Sequence, residues 1–163
     1  GWPIFQWATG PLFNEYLHLY VGFLDNEPIA VCVTLGKDTD VEVKNLAVLP
    51  EFRCHGYGRR MLRHVERLNP DRTIILGTGE TPSTFRFYNS CGYVYSHRVP
   101  NFFTDNYIAP IIEEGVTLRD MIYLKKDNSD RQGKDFDIWF RQDACCIWLF
   151  SVPPWFSPLT ATC

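Results

Sequence analysis

The sequence predicts a mixed α/β domain, and three observations carry that expectation. Two apolar runs, Leu19 to Leu24 and the β-branched Ile29 to Leu35, flank the turn Asp25-Asn26-Glu27-Pro28 and read as a hairpin. The segment from Val41 to Arg60 reads as a strand, a loop with Gly56 and Gly58 one residue apart, and an amphipathic helix. Short apolar strands then alternate with a further helical stretch.

Each element follows from local chemistry. Leu12, Phe13, Tyr16, Leu17 and Tyr20 recur near the helical period and predict a first helix over residues 11–20. Val41 to Leu49 is a third strand, closed by Pro50. Tyr57, Met61, Leu62, Val65 and Leu68 form one apolar helix face with arginines between them, and Asn69-Pro70-Asp71 stops it. Thr73 to Leu76 is a short strand that runs into Gly77-Thr78-Gly79. Thr81 or Ser83 caps a helix that ends at Cys91 and Gly92. Tyr93 to Ser96 and Met121 to Leu124 are the last strands, and a long aromatic and acidic link over residues 98–117 joins them.

A chain of 163 residues holds one domain with a real core. Its formal charge of −3 argues against a nucleic-acid binder, which needs a basic excess. No run approaches the roughly 20 apolar residues of a membrane span, and no signal peptide opens the chain. The expected location is the cytoplasm. The six cysteines, at 32, 54, 91, 145, 146 and 163, show no metal-ligand spacing and read as free thiols. The four histidines make no metal constellation either, so no metal is expected.

The strand–loop–helix segment carries the chemistry. Gly56 and Gly58 bring backbone N–H groups and a helix N-terminus to one point, with Arg53 and Arg59 adding charge, an arrangement suited to a pyrophosphate. A dinucleotide fingerprint fits less well, because its third glycine is missing. Glu42 lies on the strand leading into this loop and is a candidate base; strict alternation puts Lys44 on the same face, where it would keep Glu42 ionised and weaken it. Cys54 and Cys91 have no base partner in sequence that would make either a nucleophile.

The pattern Arg53-x-x-Gly56-x-Gly58 between strand and helix resembles the coenzyme-binding motif of the GNAT superfamily of N-acetyltransferases. Phe87-Tyr88-Asn89-Ser90-Cys91-Gly92-Tyr93 is similar to that superfamily's second signature, and the two occur in the family's order. The resemblance covers residues 10–126, and details such as Gly77-Thr78-Gly79 and Asn101-Phe102-Phe103 resemble a largely uncharacterised bacterial subgroup. It implies a curved mixed sheet with splayed central strands, flanked by helices. It also implies acetyl-CoA as cosubstrate, held by the main chain of Leu46, Ala47 and Val48 and by the loop and helix start Arg53, Cys54, His55, Gly56, Tyr57, Gly58 and Arg59. Tyr88 matches the family's general acid, and the spacing of Glu42 to Gly56 matches the catalytic glutamate of its histone acetyltransferases; other members use an ordered water.

The expected activity is direct acetyl transfer from acetyl-CoA to a primary amine, in a small molecule or a peptide. No membrane or nucleic acid is expected as partner, and at most a second copy of the chain. The alternative is a truncated relative that binds acyl-CoA or a partner without turnover. Residues 1–128 form the acetyltransferase domain in this reading, with a shortened N-terminus, since only one helix precedes the first strand. Residues 129–163 form an atypical extension. Glu113 and Glu114 hint at a cationic amine.

Overall fold

The computed structural model describes residues 16–128 and, as backbone, residues 5–11. The predicted extension over 129–163 lies outside them. A seven-stranded sheet runs in the order β1-β2-β3-β4-β5-β9-β6. Its strands are β1 (Phe5–Pro11), β2 (Leu17–Leu24), β3 (Glu27–Gly36), β4 (Asp40–Val48), β5 (Thr73–Gly79), β6 (Val94–Val99) and β9 (Met121–Lys126). Helix α1 (Tyr57–Leu68) joins β4 to β5, and α2 (Pro82–Ser90) joins β5 to β6. The link between β6 and β9 holds a short helix α3 (Phe102–Asn106) and a two-stranded hairpin, β7 (Ile112–Glu113) and β8 (Val116–Thr117).

The predicted hairpin, third strand, both long helices and later strands form where expected. The helix over residues 11–20 does not. Pro11 ends β1, Leu17 to Tyr20 belong to β2, and β1 pairs antiparallel with β2 from Phe5↔Leu24 to Pro11↔His18. Leu17 and Tyr20 fit a helix's stripe while Leu17 and Leu19 fit a strand's alternation, and in so short a run the two periods cannot be told apart.

The feature that shapes the site lies in the middle of the sheet. All other neighbours pair antiparallel, whereas β4 and β5 pair parallel, and only from Asp40↔Thr73 to Val43↔Leu76. β4 then continues to Val48 and β5 to Gly79 without pairing, so the strands part. A bulge assists this: Val33 faces Asn45 but Thr34 faces Val43, so Lys44 is the extra residue. The bulge also changes which residues point inward. Val41 and Val43 are buried before it, and Leu46 and Val48 after it.

Helices α1 and α2 cover one face of the sheet. Met61, Leu62 and Val65 of α1, fully buried, pack with Val41, Val43, Leu46, Ile74, Leu76 and with Phe87 and Tyr88 of α2. Each fully buried apolar side chain contributes about 1.5–3 kcal/mol, enough to hold α1 across the β4–β5 junction. On the other face Phe103, Leu118 and Met121 form a smaller cluster.

A buried polar knot fixes α1 against the far strands. The Glu66 carboxylate, 1% exposed, accepts from the Tyr93 hydroxyl at 3.1 Å and from Lys126 Nζ at 3.0 Å. Lys126 also donates to the Cys91 carbonyl at 2.6 Å, and Asn128 donates to the Glu66 carbonyl at 2.6 Å. The knot holds the end of α2, because Tyr93 N–H donates to the Tyr88 carbonyl at 3.0 Å. Breaking one partner of a buried pair leaves its charge uncompensated. Lys126→Met is therefore expected to lower stability by about 3 kcal/mol in chemical denaturation; an unchanged midpoint would show the knot to be idle.

Candidate functional site

The site begins where β4 leaves β5. Beyond Val43 the edge of β4 that faced β5 has no strand partner among the described residues, so main-chain groups of Asn45 to Val48 face the opening. Leu46 itself is fully buried and belongs to the core, so only its main chain is open to a ligand. A 3-10 turn over Pro50–Phe52 carries the chain from β4 to the loop.

The loop has the shape of an anion cradle. Cys54 and Gly56 both take left-handed backbone angles, with φ of 62° and 81°. Gly56 stands at the N-cap of α1, no side chain caps the helix, and a Cβ built on Gly56 would meet nothing within 4 Å. First-turn amides and a helix dipole thus lie beside a position that no other described residue fills. Arg53 is anchored at its Nε. Its Nε donates to the Val48 carbonyl at 3.1 Å and ties the loop to the end of β4. Arg59 crosses to α2, where its Nη2 donates to Ser90 Oγ at 2.8 Å. His55 Nδ1 lies 2.6 Å from the Arg53 carbonyl, and Tyr57 packs its ring edge on Phe52 with Arg60 over its face. These contacts brace the loop. Cys54 is disulfide-bonded, against the free-thiol expectation, whereas Cys32 and Cys91 are free.

Tyr88 comes from α2 into the helix-side core. It is fully buried, its ring packs edge-on against Phe87 and Tyr93, and its hydroxyl has no hydrogen-bond partner among the described residues. Burial, and then the nearby thiols of Cys32 and Cys91, push the phenol well above its ordinary pKa of 10. Cys32, opposite Leu46 in the sheet, is itself pushed up to about 12 by burial. An orphaned buried hydroxyl costs about 1–3 kcal/mol, a cost a bound acceptor atom would remove.

Glu42 lies on the opposite face, next to the last paired residue of β4. Its side chain is 7% exposed and both oxygens are engaged. Lys37 Nζ stands 2.9 Å from Oε2, Lys44 Nζ 2.9 Å from Oε1, and the Tyr123 hydroxyl 3.4 Å from Oε1. Burial alone would raise the carboxyl's pKa, but the hydrogen bonds and charges of Lys44 and Lys37 outweigh it and hold it below the usual range. The predicted Lys44 contact forms, though through a bulge rather than by plain alternation. Lys37 and Tyr123 escaped sequence reading: one sits in a turn, and the other comes from β9, two strands away. The ring of Tyr123 passes over Gly77, where a Cβ would stand 3.1 Å from its Cζ and 2.5 Å from Met121 Sδ. Glu114 is also placed differently from expectation. At the β7–β8 turn it accepts from the Ser83 hydroxyl and backbone N–H at the start of α2.

Comparison with known proteins decides what this arrangement belongs to. A family model for the acetyltransferase (GNAT) domain matches residues 15–95. A GNAT family acetyltransferase from Elizabethkingia anophelis, crystallised with acetyl-CoA, is 31% identical, with a TM-score of 0.64 over 69% of this chain and 76% of that one. The chain belongs to the GNAT acetyltransferase family. An uncharacterized N-acetyltransferase of Bacillus subtilis, YvbK, is 29% identical over 125 residues, covering 71% of this chain and 80% of that protein. A Bacillus subtilis acetyltransferase crystallised with CoA shares the fold at 23% identity and a TM-score of 0.67, over 76% of this chain and 99% of that one. The GNAT fold accounts for the splayed strands and the strand–loop–helix cradle. No helix among the described residues is long and apolar enough to cross a membrane.

The Glu42 cluster has a pH signature. Its folded pKa lies below the unfolded value of about 4.3, so the stability it contributes is present above that value and lost as pH falls through the folded one. Glu42→Gln is expected to melt below the parent protein at pH 7, with the gap closing below about pH 4. A gap independent of pH would contradict the ion-pair account.

Proposed function

We propose that this GNAT acetyltransferase moves an acetyl group from acetyl-CoA to a primary amine by direct transfer, with both substrates bound. The observation that carries the reading is the parting of β4 from β5. It leaves an unpaired main-chain edge that ends in a backbone anion cradle, and the unpartnered Tyr88 hydroxyl lies in the core on the helix side of the sheet. Acetyl-CoA supplies an activated acyl group on a thiol leaving group. Asn45 to Val48 hold its amide-bearing arm, and residues 53–59 hold its pyrophosphate through main-chain N–H groups.

Two protons must move. Tyr88 keeps its own until the departing sulfur needs it, because burial disfavours the phenolate. Glu42 is the proton acceptor on the other face. Its lysines keep it ionised wherever an amine is nucleophilic, but they reduce its basicity, so it takes the proton best through an intervening water. Holding both substrates in one opening removes much of the entropic barrier to transfer.

Two substitutions test the assignment by thiol release and acetyl-CoA titration. Tyr88→Phe is expected to lower kcat by about 10²-fold or more while changing acetyl-CoA affinity less than about threefold; an unchanged kcat would remove the acid role. Gly56→Val places a β-branched residue at a φ of 81°, so acetyl-CoA should no longer raise the melting temperature of a folded variant. A full thermal shift would contradict the cradle. Coenzyme binding without turnover of any amine would favour a non-catalytic binder instead.

A further inference from the structure

The geometry points to an acceptor that carries an anionic group, a carboxylate, beside the amine to be acetylated, with Lys37 and Lys44 as the groups that hold it. This rests on the transfer reading above and names the substrate class of that site. The cluster lies on the sheet face away from α1 and α2, at the point where β4 and β5 separate. Glu42 lies next to the last β4–β5 pair, and Lys44 is the first residue beyond it. An acceptor approaching the opening from this face meets these side chains first.

The charge count does not close within the protein. One carboxylate faces two ammonium groups, each 2.9 Å from a different oxygen. A single lysine would neutralise Glu42, so the pair leaves a surplus positive charge. Each ammonium carries three donors and spends one on Glu42. Lys37 is 54% exposed and Lys44 34%, against 7% for the carboxylate between them, so the remaining donors face outward. Two convergent ammonium groups above a buried carboxylate bind a second carboxylate well, since charge-assisted hydrogen bonds are roughly twice as strong as neutral ones.

Among the described residues no ion pair joins Lys37 or Lys44 to a second carboxylate. Glu80 and Asp120 are taken up by Arg98, at 2.9 and 2.6 Å, with Arg119 a further 3.7 Å from Asp120. Glu114 is bound to the start of α2 by Ser83. The flanking surface is aromatic: His97, exposed, stacks on Tyr123 with centroids 4.6 Å apart and planes 5° from parallel. That wall suits the carbon skeleton of a small amino-acid-like molecule, with its carboxylate on the lysines.

The test is steady-state thiol release with matched acceptors: α-amino acids, and the same amines without the carboxylate. Carboxylate-bearing amines are expected to show kcat/KM about tenfold higher or more. Lys37→Met should raise KM for those acceptors about tenfold more than for the decarboxylated amines and leave KM for acetyl-CoA unchanged, while any change in kcat that it causes through Glu42 falls on both acceptor sets alike. A structural role for Lys37 would move all acceptors together. Equal use of both acceptor sets, or equal loss on Lys37→Met, overturns the carboxylate inference and leaves the transfer reading standing. Absence of turnover with every amine, in protein that binds acetyl-CoA, overturns the transfer reading and this inference with it.

Discussion

The separation of β4 from β5 after four paired residues is the constraint on which everything else depends. A parallel pair needs its crossover, here α1, to start where the first strand ends, and the bulge at Lys44 turns β4 as it leaves its partner. An unpaired edge inside a sheet is costly unless something satisfies it. In this fold the same separation brings the uncapped start of α1 to the end of that edge, so one geometric event creates both a main-chain track and an anion cradle. It also opens the sheet between its two faces, one bearing Tyr88 and the other Glu42.

Those two groups are tuned in opposite directions. Burial raises the Tyr88 phenol, and two lysines lower the Glu42 carboxyl despite its burial. The first shift keeps the phenol protonated and the second keeps the carboxylate ionised at neutral pH. The surrounding structure is rigid where it needs to be. The Glu66–Lys126–Tyr93 knot fixes the end of α2, and Arg53 and Arg59 brace the loop from the strand side and the α2 side. Arg53 and Arg59, expected from the sequence to add charge to the cradle, each also make one bracing hydrogen bond.

Much of this was legible before the fold was known, because the relevant signals are local. Two glycines after an apolar strand and before an arginine-rich helix specify the loop, and Phe87-Tyr88 with Gly92 marks α2 and its end. What escaped notice depends on contacts between distant segments. Alternation predicted the Glu42–Lys44 contact but could not reveal the bulge, which exists only relative to β3. The reach of Tyr123 across Gly77 requires knowing that β9 lies beside β5. The first strand was hidden because its pairing with Leu17 to Leu24 competes with a helix-like stripe over the same residues. The contact of Glu114 with Ser83 at the start of α2 was equally hidden, since the two lie 31 residues apart.

A crystal structure of the protein with acetyl-CoA would test the account most directly. The account predicts the pyrophosphate on the backbone of residues 53–59, the amide-bearing arm along Asn45 to Val48, and the sulfur within hydrogen-bond reach of the Tyr88 hydroxyl. A coenzyme bound with its sulfur away from Tyr88, or seated outside the gap between β4 and β5, would contradict it.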